Sequence, residues 1–491
     1  MAGNGALKTV ALAAALAAAS ASQAFETKTT VWKGETLSII LPDECRVETG
    51  EKSGVSVETG TIRPVLYNAT PKSLEYRIKA DRAVLGSREP GIHFASIRAA
   101  PDAAPGEYAF GLLRVKVLDR TLPPPSEWRY RLDLWQHPWA VARLAGAKPF
   151  SPEHYKAMAP LWKMLADAGQ KAVTATICDR PWNQQCYDPY GSMVEHRLGA
   201  DGKWTFGYAT FDEYVEFAFS CGLGPEIDCY TMCPWNYMVD YIDAAGATVR
   251  REARPGTPFF EEYWGTFLPD FERHLAAKGW LGRTAIAMDE RSPDDLARIV
   301  KFVRAKAPGL KIAMAGNRSP REFEGLEIDK YAQSMGHVDA AFMKEAEQRR
   351  KEGKSTTYYV CCGPARPNTF LKSEPAEAFV CGFLPAATGL DGFLRWAYNC
   401  WGENPMEDAT YTRWTAGDVS LVYPDGSPSW RFLELRNGIV AAEKHRILRE
   451  SGRLDARRAA TLAAKLDPHT LISKGADWER LRSEAMSLVN R

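Results

Sequence analysis

Short apolar runs alternate with longer amphipathic stretches over most of the chain after residue 127. This alternation is typical of parallel strands covered by helices. The predicted strands are residues 130–135, 172–178, 225–231, 284–288, 310–315, 328–334, 356–362 and 392–399. The predicted helices between them include residues 152–168, 212–221, 261–277, 294–307, 340–350 and 374–387. Because eight such units close into a barrel, the sequence predicts a (β/α)8 TIM-like barrel of the α/β class over residues 127–450.

The region before the barrel has a different pattern, with short alternating runs broken by Gly and Pro, for example at residues 36–41, 74–78 and 108–117. This pattern predicts an N-terminal β-sandwich domain over residues 25–121. Three prolines at 123, 124 and 125 cannot continue a strand or a helix, so we expect the domain boundary there. A strand-and-turn signal at 419–426 precedes a helix over 430–448, and residues 451–491 are predicted as a C-terminal helical extension.

The first 24 residues have the composition of a secretory signal peptide. Lys8 precedes an apolar run from Val10 to Ala19, and small residues follow up to Ala24. The run is shorter than the roughly 20 residues that a membrane-spanning helix needs. We therefore expect export to the periplasm or the cell exterior with the signal removed, and no membrane span in the mature chain.

Charge and cysteine usage restrict the classes of partner. The chain has 62 Lys and Arg against 61 Asp and Glu, so no charge imbalance favours nucleic acid. There is no glycine-rich phosphate cradle, and the eight His residues form no HExxH motif. The ten Cys residues could form one or two disulfides in an oxidising compartment, but their spacing does not pair them. We predict no metal and no cofactor.

Two adjacent carboxylates, Asp289 and Glu290, follow the predicted strand at 284–288, and Ser292 and Pro293 then open a helix. In a barrel of parallel strands, catalytic groups lie at this carboxyl end. Repulsion between neighbouring carboxylates raises one pKa, so one group can donate a proton while the other stays charged. The competing interpretation is that both are ordinary loop acids favoured by the dipole of the following helix.

The ends of the other predicted strands carry aromatic, amide and acidic residues. Such a mixture suits a polyhydroxylated ring, which stacks its C–H face on an aromatic side chain and hydrogen-bonds through its hydroxyls. For any single tryptophan here, packing in the core is the competing interpretation. Over several strand ends together, the pattern favours a sugar-binding site.

Three motifs in the same order resemble glycoside hydrolase family 123. They are Leu132-Asp-Leu-Trp-Gln-His-Pro138, the strand end Met288-Asp-Glu290, and Phe393-Leu-Arg-Trp-Ala-Tyr-Asn399 continuing through Gly417-Asp418 to Leu421-Val-Tyr-Pro424. The resemblance implies a sandwich ahead of a barrel. It also implies an exo-acting β-N-acetylgalactosaminidase that retains anomeric configuration by substrate-assisted catalysis. Its substrate would be a glycan of a glycolipid or glycoprotein.

The resemblance also implies roles for the acidic pair. Glu290 would be the general acid and then the general base, with a raised pKa. Asp289 would stay ionised, accept a hydrogen bond from the acetamido N–H and stabilise the developing positive charge. The substrate's acetamido oxygen, rather than a protein carboxylate, would attack the anomeric carbon to form an oxazoline.

The residues expected to hold the sugar lie at other strand ends, and packing is an equally weighted alternative for each. They are Trp396, Tyr398, Asn399, Trp401, Tyr230, Asp179 and Trp182. Two functional alternatives also stay open: a β-hexosaminidase acting on N-acetylglucosamine, which differs only at the C4 hydroxyl, and a carbohydrate-binding barrel without catalysis. The intact acidic pair argues against the latter.

Overall fold

The computed structural model describes residues 26–70, 75–318, 320–411 and 413–491. The predicted signal peptide and Leu74, which opens one predicted strand, lie outside the described residues. The chain divides into two units. The first contains the described residues up to Arg63, Val84–Leu122 and the single residue Asn490, and the second contains Pro64–Ala83, Pro123–Val489 and Arg491.

Eight strands form the N-terminal region. They are β1 (Thr27–Lys33), β2 (Thr36–Ile40), β3 (Gly50–Lys52), β4 (Val55–Asn68), β5 (Tyr76–Leu85), β6 (Ile92–Ala99), β7 (Gly106–Phe110) and β8 (Leu113–Thr121). One sheet has the order β1-β8-β7, and a second has the order β2-β6-β4-β3 with β5 paired to β4. Alternate side chains such as Trp32, Val57, Ile97 and Val115 are buried, as expected for a sandwich.

The predicted run at 108–117 forms two strands rather than one. Gly111 makes the turn between β7 and β8 with φ +62°, which a residue with a Cβ rarely adopts. A Cβ on Gly111 would also lie 2.4 Å from the carbonyl oxygen of Arg46. Only glycine fits this turn, so the run reverses and its two halves pair antiparallel.

Twelve further strands follow in the second unit. They are β9 (Arg131–Leu134), β10 (Ala172–Thr176), β11 (Glu195–Leu198), β12 (Trp204–Gly207), β13 (Glu226–Tyr230), β14 (Met238–Ile242), β15 (Thr248–Glu252), β16 (Thr284–Met288), β17 (Lys311–Gly316), β18 (Lys330–Ser334), β19 (Ser355–Tyr359) and β20 (Gly392–Arg395). Eight of them form a sheet in the order β10-β13-β16-β17-β18-β19-β20-β9, and all its pairs are parallel. These eight coincide with the eight strands predicted from the sequence.

The barrel closes between its first two strands in chain order. The backbone N–H of Lys171 donates to the carbonyl oxygen of Leu132 at 2.9 Å, just ahead of β10. The side chain of Gln170 then replaces missing backbone bonds, because its Oε1 accepts the N–H of Leu134 at 2.9 Å. The predicted (β/α)8 barrel preceded by a β-sandwich is confirmed.

Eleven helices accompany these strands in the described residues. They are α1 (Pro138–Leu144), α2 (Pro152–Ala166), α3 (Ala209–Ser220), α4 (Pro258–Ala277), α5 (Pro293–Lys306), α6 (Ala340–Lys351), α7 (Pro375–Thr388), α8 (Trp430–Glu450), α9 (Ala456–Lys465), α10 (Pro468–Lys474) and α11 (Trp478–Val489). Short 3-10 helices span Pro125–Glu127, Leu281–Arg283, Pro320–Phe323 and Met335–His337. None of the helices in the described ranges is long and apolar enough to cross a membrane.

Two insertions into the barrel were not expected from the sequence. The segments after β10 and β13 contribute β11, β12, β14 and β15, which form a separate four-stranded sheet in the order β12-β11-β14-β15. The residues of β11 and β15 are largely polar, and all four strands are short and only partly buried, so they lack the fully buried runs of most barrel strands. Between β17 and β18 the described residues form the short helix Pro320–Phe323 where a regular barrel has a longer one.

Candidate active site

The end of β16 places Asp289 and Glu290 at the carboxyl end of the barrel. Ala285 and Ala287 point into the barrel interior, so the alternation of the strand continues to Asp289. The helix α5 begins directly afterwards: the Ser292 hydroxyl accepts the N–H of Asp295 at 3.2 Å, and Pro293 occupies the first helical position. The acidic pair is therefore held between a rigid strand and a capped helix.

Different donors hold the two carboxylates. Asp289 Oδ2 accepts the indole N–H of Trp235 at 3.1 Å, and its Oδ1 accepts the backbone N–H of Glu290 at 2.8 Å. Glu290 Oε2 accepts the side-chain amide of Asn317 at 2.8 Å, and its Oε1 accepts the hydroxyl of Tyr359. Each carboxylate is thus oriented by a contact from another strand end.

The electrostatics of the pair are asymmetric. Burial, and then the negative charge of Glu290, raise the pKa of Asp289 from 3.8 to about 7. Hydrogen bonds from the Glu290 backbone, Trp235 and Trp182 act in the opposite direction and limit this rise. The raised pKa thus belongs to Asp289, the member of the pair for which the family resemblance implies the ionised role. One group that titrates near neutral pH is therefore built into the site.

The pair borders a small, open-sided cavity of about 90 Å³. Four tryptophans line it: Trp135, Trp235, Trp396 and Trp414. The rings of Trp396 and Trp414 meet edge to face at 5.6 Å. The remaining lining residues are Gln185, Ala315, Tyr359, Cys361, Cys362, Leu394 and Asp418. Aromatic walls around two carboxylates provide stacking faces and acid–base groups in one place.

Asp418 brings a third carboxylate to the cavity. Its Oδ1 accepts hydrogen bonds from Arg395 at 2.9 Å and from the Trp396 indole at 3.1 Å. Burial raises the pKa of Asp418, while the charge of Arg395 lowers it. Its Oδ2 is buried and has no partner among the described residues. Asp418 therefore orients Trp396 and offers one further acceptor.

Two of the residues predicted to bind the sugar form the floor beneath the cavity. Trp182 and Tyr230 are buried and pack with Trp135 at ring distances between 4.6 and 5.1 Å. Trp182 also contributes a hydrogen bond to Asp289. Neither residue lines the cavity itself, so both support the site from below.

Tyr398, Asn399 and Trp401 do not reach the cavity, contrary to expectation. All three are buried: Tyr398 donates to the carbonyl oxygen of Leu161 at 2.9 Å, and Trp401 donates to that of Val422 at 2.7 Å. Asn399 bonds both backbone groups of His137, at 2.8 and 3.0 Å. The reason is that β20 ends at Arg395, so the alternation that points Trp396 inward does not extend to these residues.

Asp179 lies apart from the acidic pair. It borders a different cavity with Ser192, His196 and Asp240, and its Oδ1 accepts the N–H of Ser192 at 3.2 Å. Burial raises the pKa of Asp179. Among the predicted site residues, the structure therefore brings together only Asp289, Glu290 and Trp396 at the cavity.

The sequence argument did not select several residues of the site, namely Tyr359, Trp235, Asn317, Trp414 and Asp418. Tyr359 is the last residue of β19, and counting alternate positions along that strand would have pointed it inward. Asn317 follows β17 directly and Trp235 lies in the segment after β13, and a position after a barrel strand was a usable signal. Trp414 and Asp418 come from the loop after β20, where no periodicity could have placed them.

Comparisons with known proteins identify the family of the chain. The family model described as "Glycoside hydrolase 123, catalytic domain" matches residues 135–448. A solved family 123 glycoside hydrolase from Clostridium perfringens, described in connection with glycolipid glycan hydrolysis, is 25% identical with a TM-score of 0.79, and the alignment covers 94% of this chain and 92% of that chain. A search of curated proteins found no match.

Two xylanases of family GH10 are more distant. One, with a bacterial Ig-like domain and from termite gut, is 11% identical with a TM-score of 0.38, covering 86% of this chain and 100% of that one. The other, from Thermobacillus composti, is 12% identical with a TM-score of 0.33, covering 63% and 97%. The match to the family model covers well over half of the chain and includes the acidic pair. The chain therefore belongs to glycoside hydrolase family 123.

Proposed function

We propose that this protein is an exo-acting, retaining β-N-acetylgalactosaminidase in which the substrate's own 2-acetamido group is the nucleophile. The observation that carries the proposal is that Asp289 and Glu290 are adjacent on one strand end and border one cavity. Two carboxylates this close together can contact two atoms of the same sugar. The family membership and the glycolipid glycan named for the Clostridium perfringens relative support a glycan substrate.

Glu290 is the proposed acid and base. In the first step it donates a proton to the glycosidic oxygen as the bond from that oxygen to the anomeric carbon breaks. The acetamido carbonyl oxygen forms a bond to the same carbon and closes an oxazoline ring. In the second step water attacks the anomeric carbon, Glu290 accepts the water's proton, and the oxazoline C–O bond breaks. Two inversions give overall retention.

Asp289 is the proposed partner of the acetamido N–H. An ionised Asp289 accepts this hydrogen bond, orients the carbonyl oxygen towards the anomeric carbon and stabilises the positive charge on the oxazoline. Trp235 holds Asp289 Oδ2 at 3.1 Å for this purpose. Because the carboxylate form is needed, activity depends on the deprotonation of a group with a pKa of about 7.

The sugar ring is proposed to stack on the tryptophan walls, with Trp396 as the wall fixed by Asp418. The preference for the galacto epimer comes from the family resemblance. Terminal N-acetylglucosamine is the competing substrate, because it differs only at C4.

Hydrolysis of three 4-nitrophenyl glycosides tests the proposal. We expect the β-N-acetylgalactosaminide to be cleaved fastest, the gluco epimer more slowly, and the β-galactoside without an acetamido group not at all. Faster cleavage of the gluco epimer would show that the preferred substrate is N-acetylglucosamine, and would leave the proposed mechanism unchanged. Cleavage of the plain galactoside would refute the mechanism, because that substrate has no internal nucleophile.

Two further measurements address the nucleophile directly. Fluorine atoms on the acetamido methyl group withdraw electrons from the carbonyl oxygen, so kcat should fall with each fluorine added. The anomer released first, followed by proton NMR, should be β. An α product, or a rate insensitive to fluorination, would contradict substrate assistance.

We also propose that the protein is exported with cleavage after Ala24, because Lys8, the apolar run and the small residues form a signal pattern. The mass of the mature protein from its native host checks this. An N-terminus at Phe25 is expected, and a retained Met1 would refute it.

A further inference from the structure

We propose that His137, Cys186 and Cys400 form a zinc-binding site beside the active site. One ring nitrogen of His137 and the two Sγ atoms all lie within 4.8 Å of one another. The two thiols are not joined by a disulfide in the structure. Two thiolates and an imidazole form a Cys2His set, which is a ligand set of zinc.

The orientation of His137 supports a metal rather than a simple packing role. Its Nε2 lies 3.0 Å from the carbonyl oxygen of Asp188, and since a carbonyl only accepts, Nε2 carries the proton. The free lone pair is then on Nδ1, which is buried; no N–H or O–H group among the described residues donates to it, and the group that faces it is the thiol of Cys186, itself in contact with Cys400. A histidine that ligates a metal commonly donates its other N–H to a backbone carbonyl in this way.

The surroundings hold the imidazole in place before any metal binds. The ring of Tyr190 stacks on it at 3.7 Å with an angle of 13°. The backbone of His137 is held by both side-chain atoms of Asn399, the residue next to Cys400. Asp188, whose carbonyl oxygen accepts from His137, is itself bound by Arg143 at 2.7 Å. A site of this rigidity needs little rearrangement to bind an ion.

The three ligands come from three different strand-end segments. His137 follows β9, Cys186 lies in the segment between β10 and β11, and Cys400 lies in the segment after β20. Gln185, next to Cys186, lines the catalytic cavity and accepts the indole N–H of Trp414 on its carbonyl oxygen at 3.0 Å. A zinc ion here would tie together the segments that form one wall of that cavity.

Zinc content tests the inference without any activity assay. The mature protein is reduced with a phosphine, dialysed against zinc and then against buffer, and measured by plasma mass spectrometry. We expect about one zinc per chain, and X-ray absorption should show two sulfur ligands at about 2.3 Å and one nitrogen at about 2.0 Å. Zinc content near zero, or zinc with only oxygen and nitrogen ligands, would overturn the proposal.

Variants locate the ion. Cys186→Ser and Cys400→Ser should each lose the zinc, whereas Cys221→Ser should retain it. Cys221 is a matched control because it is 8% exposed against 7% for Cys186 and directly follows α3, outside the cluster. Zinc retained by the double variant Cys186→Ser/Cys400→Ser would refute this site.

Thermal stability gives a second measurement that does not depend on whether the Cys186 and Cys400 variants fold. A ligand that binds only the native state raises Tm, so zinc should raise the Tm of the reduced wild type and of Cys221→Ser.

Peptide mapping under non-reducing conditions addresses the alternative, a disulfide between Cys186 and Cys400. If that disulfide is found and the reduced protein takes up no zinc, the proposal is wrong.

Discussion

Asp289 and Glu290 are neighbours in the chain, yet they contact different partners and are expected to respond differently to substitution. Trp235 and the Glu290 backbone hold Asp289, whereas Asn317 and Tyr359 hold Glu290. These contacts come from β13, β17 and β19, so each role is fixed by a separate part of the barrel.

Glu290→Gln should lower kcat by about 10²–10⁴-fold, since it removes a general acid and base. The loss in the first step should be larger for a sugar leaving group than for nitrophenol, which departs with little help from an acid. Asp289→Asn should impair both substrates alike, because it acts on the acetamido group. Glu324→Gln, which alters an exposed glutamate, is the control. Near-normal turnover in Glu290→Gln with an unchanged Tm would show that Glu290 is not the general acid and base.

The pH profile is expected to report Asp289. In the proposed mechanism the carboxylate is the active form of Asp289, and because its pKa is raised to about 7, kcat/KM should fall as the pH decreases through 7. Trp235→Phe removes a hydrogen bond that lowers this pKa, so the acidic limb should move to higher pH. Trp414→Phe is the matched control, because that indole donates to the carbonyl oxygen of Gln185 rather than to an acid. If the acidic limbs of the two variants' pH profiles are identical, the assignment of that limb to Asp289 is wrong.

At the scale of elements, α7 and α8 approach each other unusually closely. A Cβ on Gly382 would lie 2.4 Å from the carbonyl oxygen of Leu435, and one on Gly438 would lie 2.1 Å from that of Phe379. Both obstacles are backbone atoms, which cannot rotate away. The two helices can therefore pack backbone to backbone only with glycine at these positions.

Gly438→Ala should therefore destabilise the protein by about 1–3 kcal/mol or more, as overpacking does. Gly265→Ala in α4 is the matched control: its Cβ would meet only side-chain atoms, of Phe302 at 3.4 Å and of Lys306 at 3.7 Å. That substitution should stabilise by roughly 0.5–1 kcal/mol through helix propensity. Urea denaturation of both variants measures the difference, and equal effects would contradict the close-packing argument.

Elements also show which parts of the fold sequence patterns can predict. The eight barrel strands were predictable because each is an apolar run between turn signals, and α5 because Ser292 and Pro293 mark its start. The directions of the side chains at 398, 399 and 401 could not be predicted, because the residue at which β20 ends depends on its pairing with β9 and β19 rather than on local residues. The sheet β12-β11-β14-β15 was missed since its strands are short and two of them, β11 and β15, are largely polar.

At the scale of the whole barrel, a buried ion network joins β9, β13 and β18 below the aromatic floor. Lys330 contacts Asp228 at 2.6 Å and Glu226 at 2.7 Å, and Arg131 contacts the same two acids at 3.1 and 2.8 Å. Burial, partly offset by the charge of Arg131, raises the pKa of the adjacent Asp133 to about 7. The network lies inside the barrel, where charges without partners are costly.

Lys330→Met should destabilise the protein by about 3–5 kcal/mol, because it leaves the buried charges of Asp228 and Glu226 to be balanced by Arg131 alone. Lys351→Met is the matched control. Its ammonium contacts Glu347 at 3.0 Å on the exposed surface of α6, so its loss should change the free energy of unfolding by less than about 1 kcal/mol. Comparable losses in both variants, measured by denaturation, would show that the buried network is not a special contributor.

Long-range proximity is the part of the molecule that local patterns could not predict. His137, Cys186 and Cys400 are far apart in the sequence, and only closure of the barrel brings them together. The same holds for Asp418 and Trp396, whose contact depends on the course of the loop after β20. The acidic pair was predictable because its two members are consecutive and end a strong strand.

The four tryptophans around the acidic pair give the protein an optical reporter of its own. An indole that exchanges water for a sugar ring changes the wavelength and intensity of its emission. Four of the 15 tryptophans line the cavity, so a considerable share of the intrinsic fluorescence originates where ligand binds. If glycans bind in this cavity as proposed, occupancy by unlabelled glycans can be followed in Glu290→Gln, the variant expected to turn over slowly, and natural oligosaccharides can be ranked without a chromogenic leaving group.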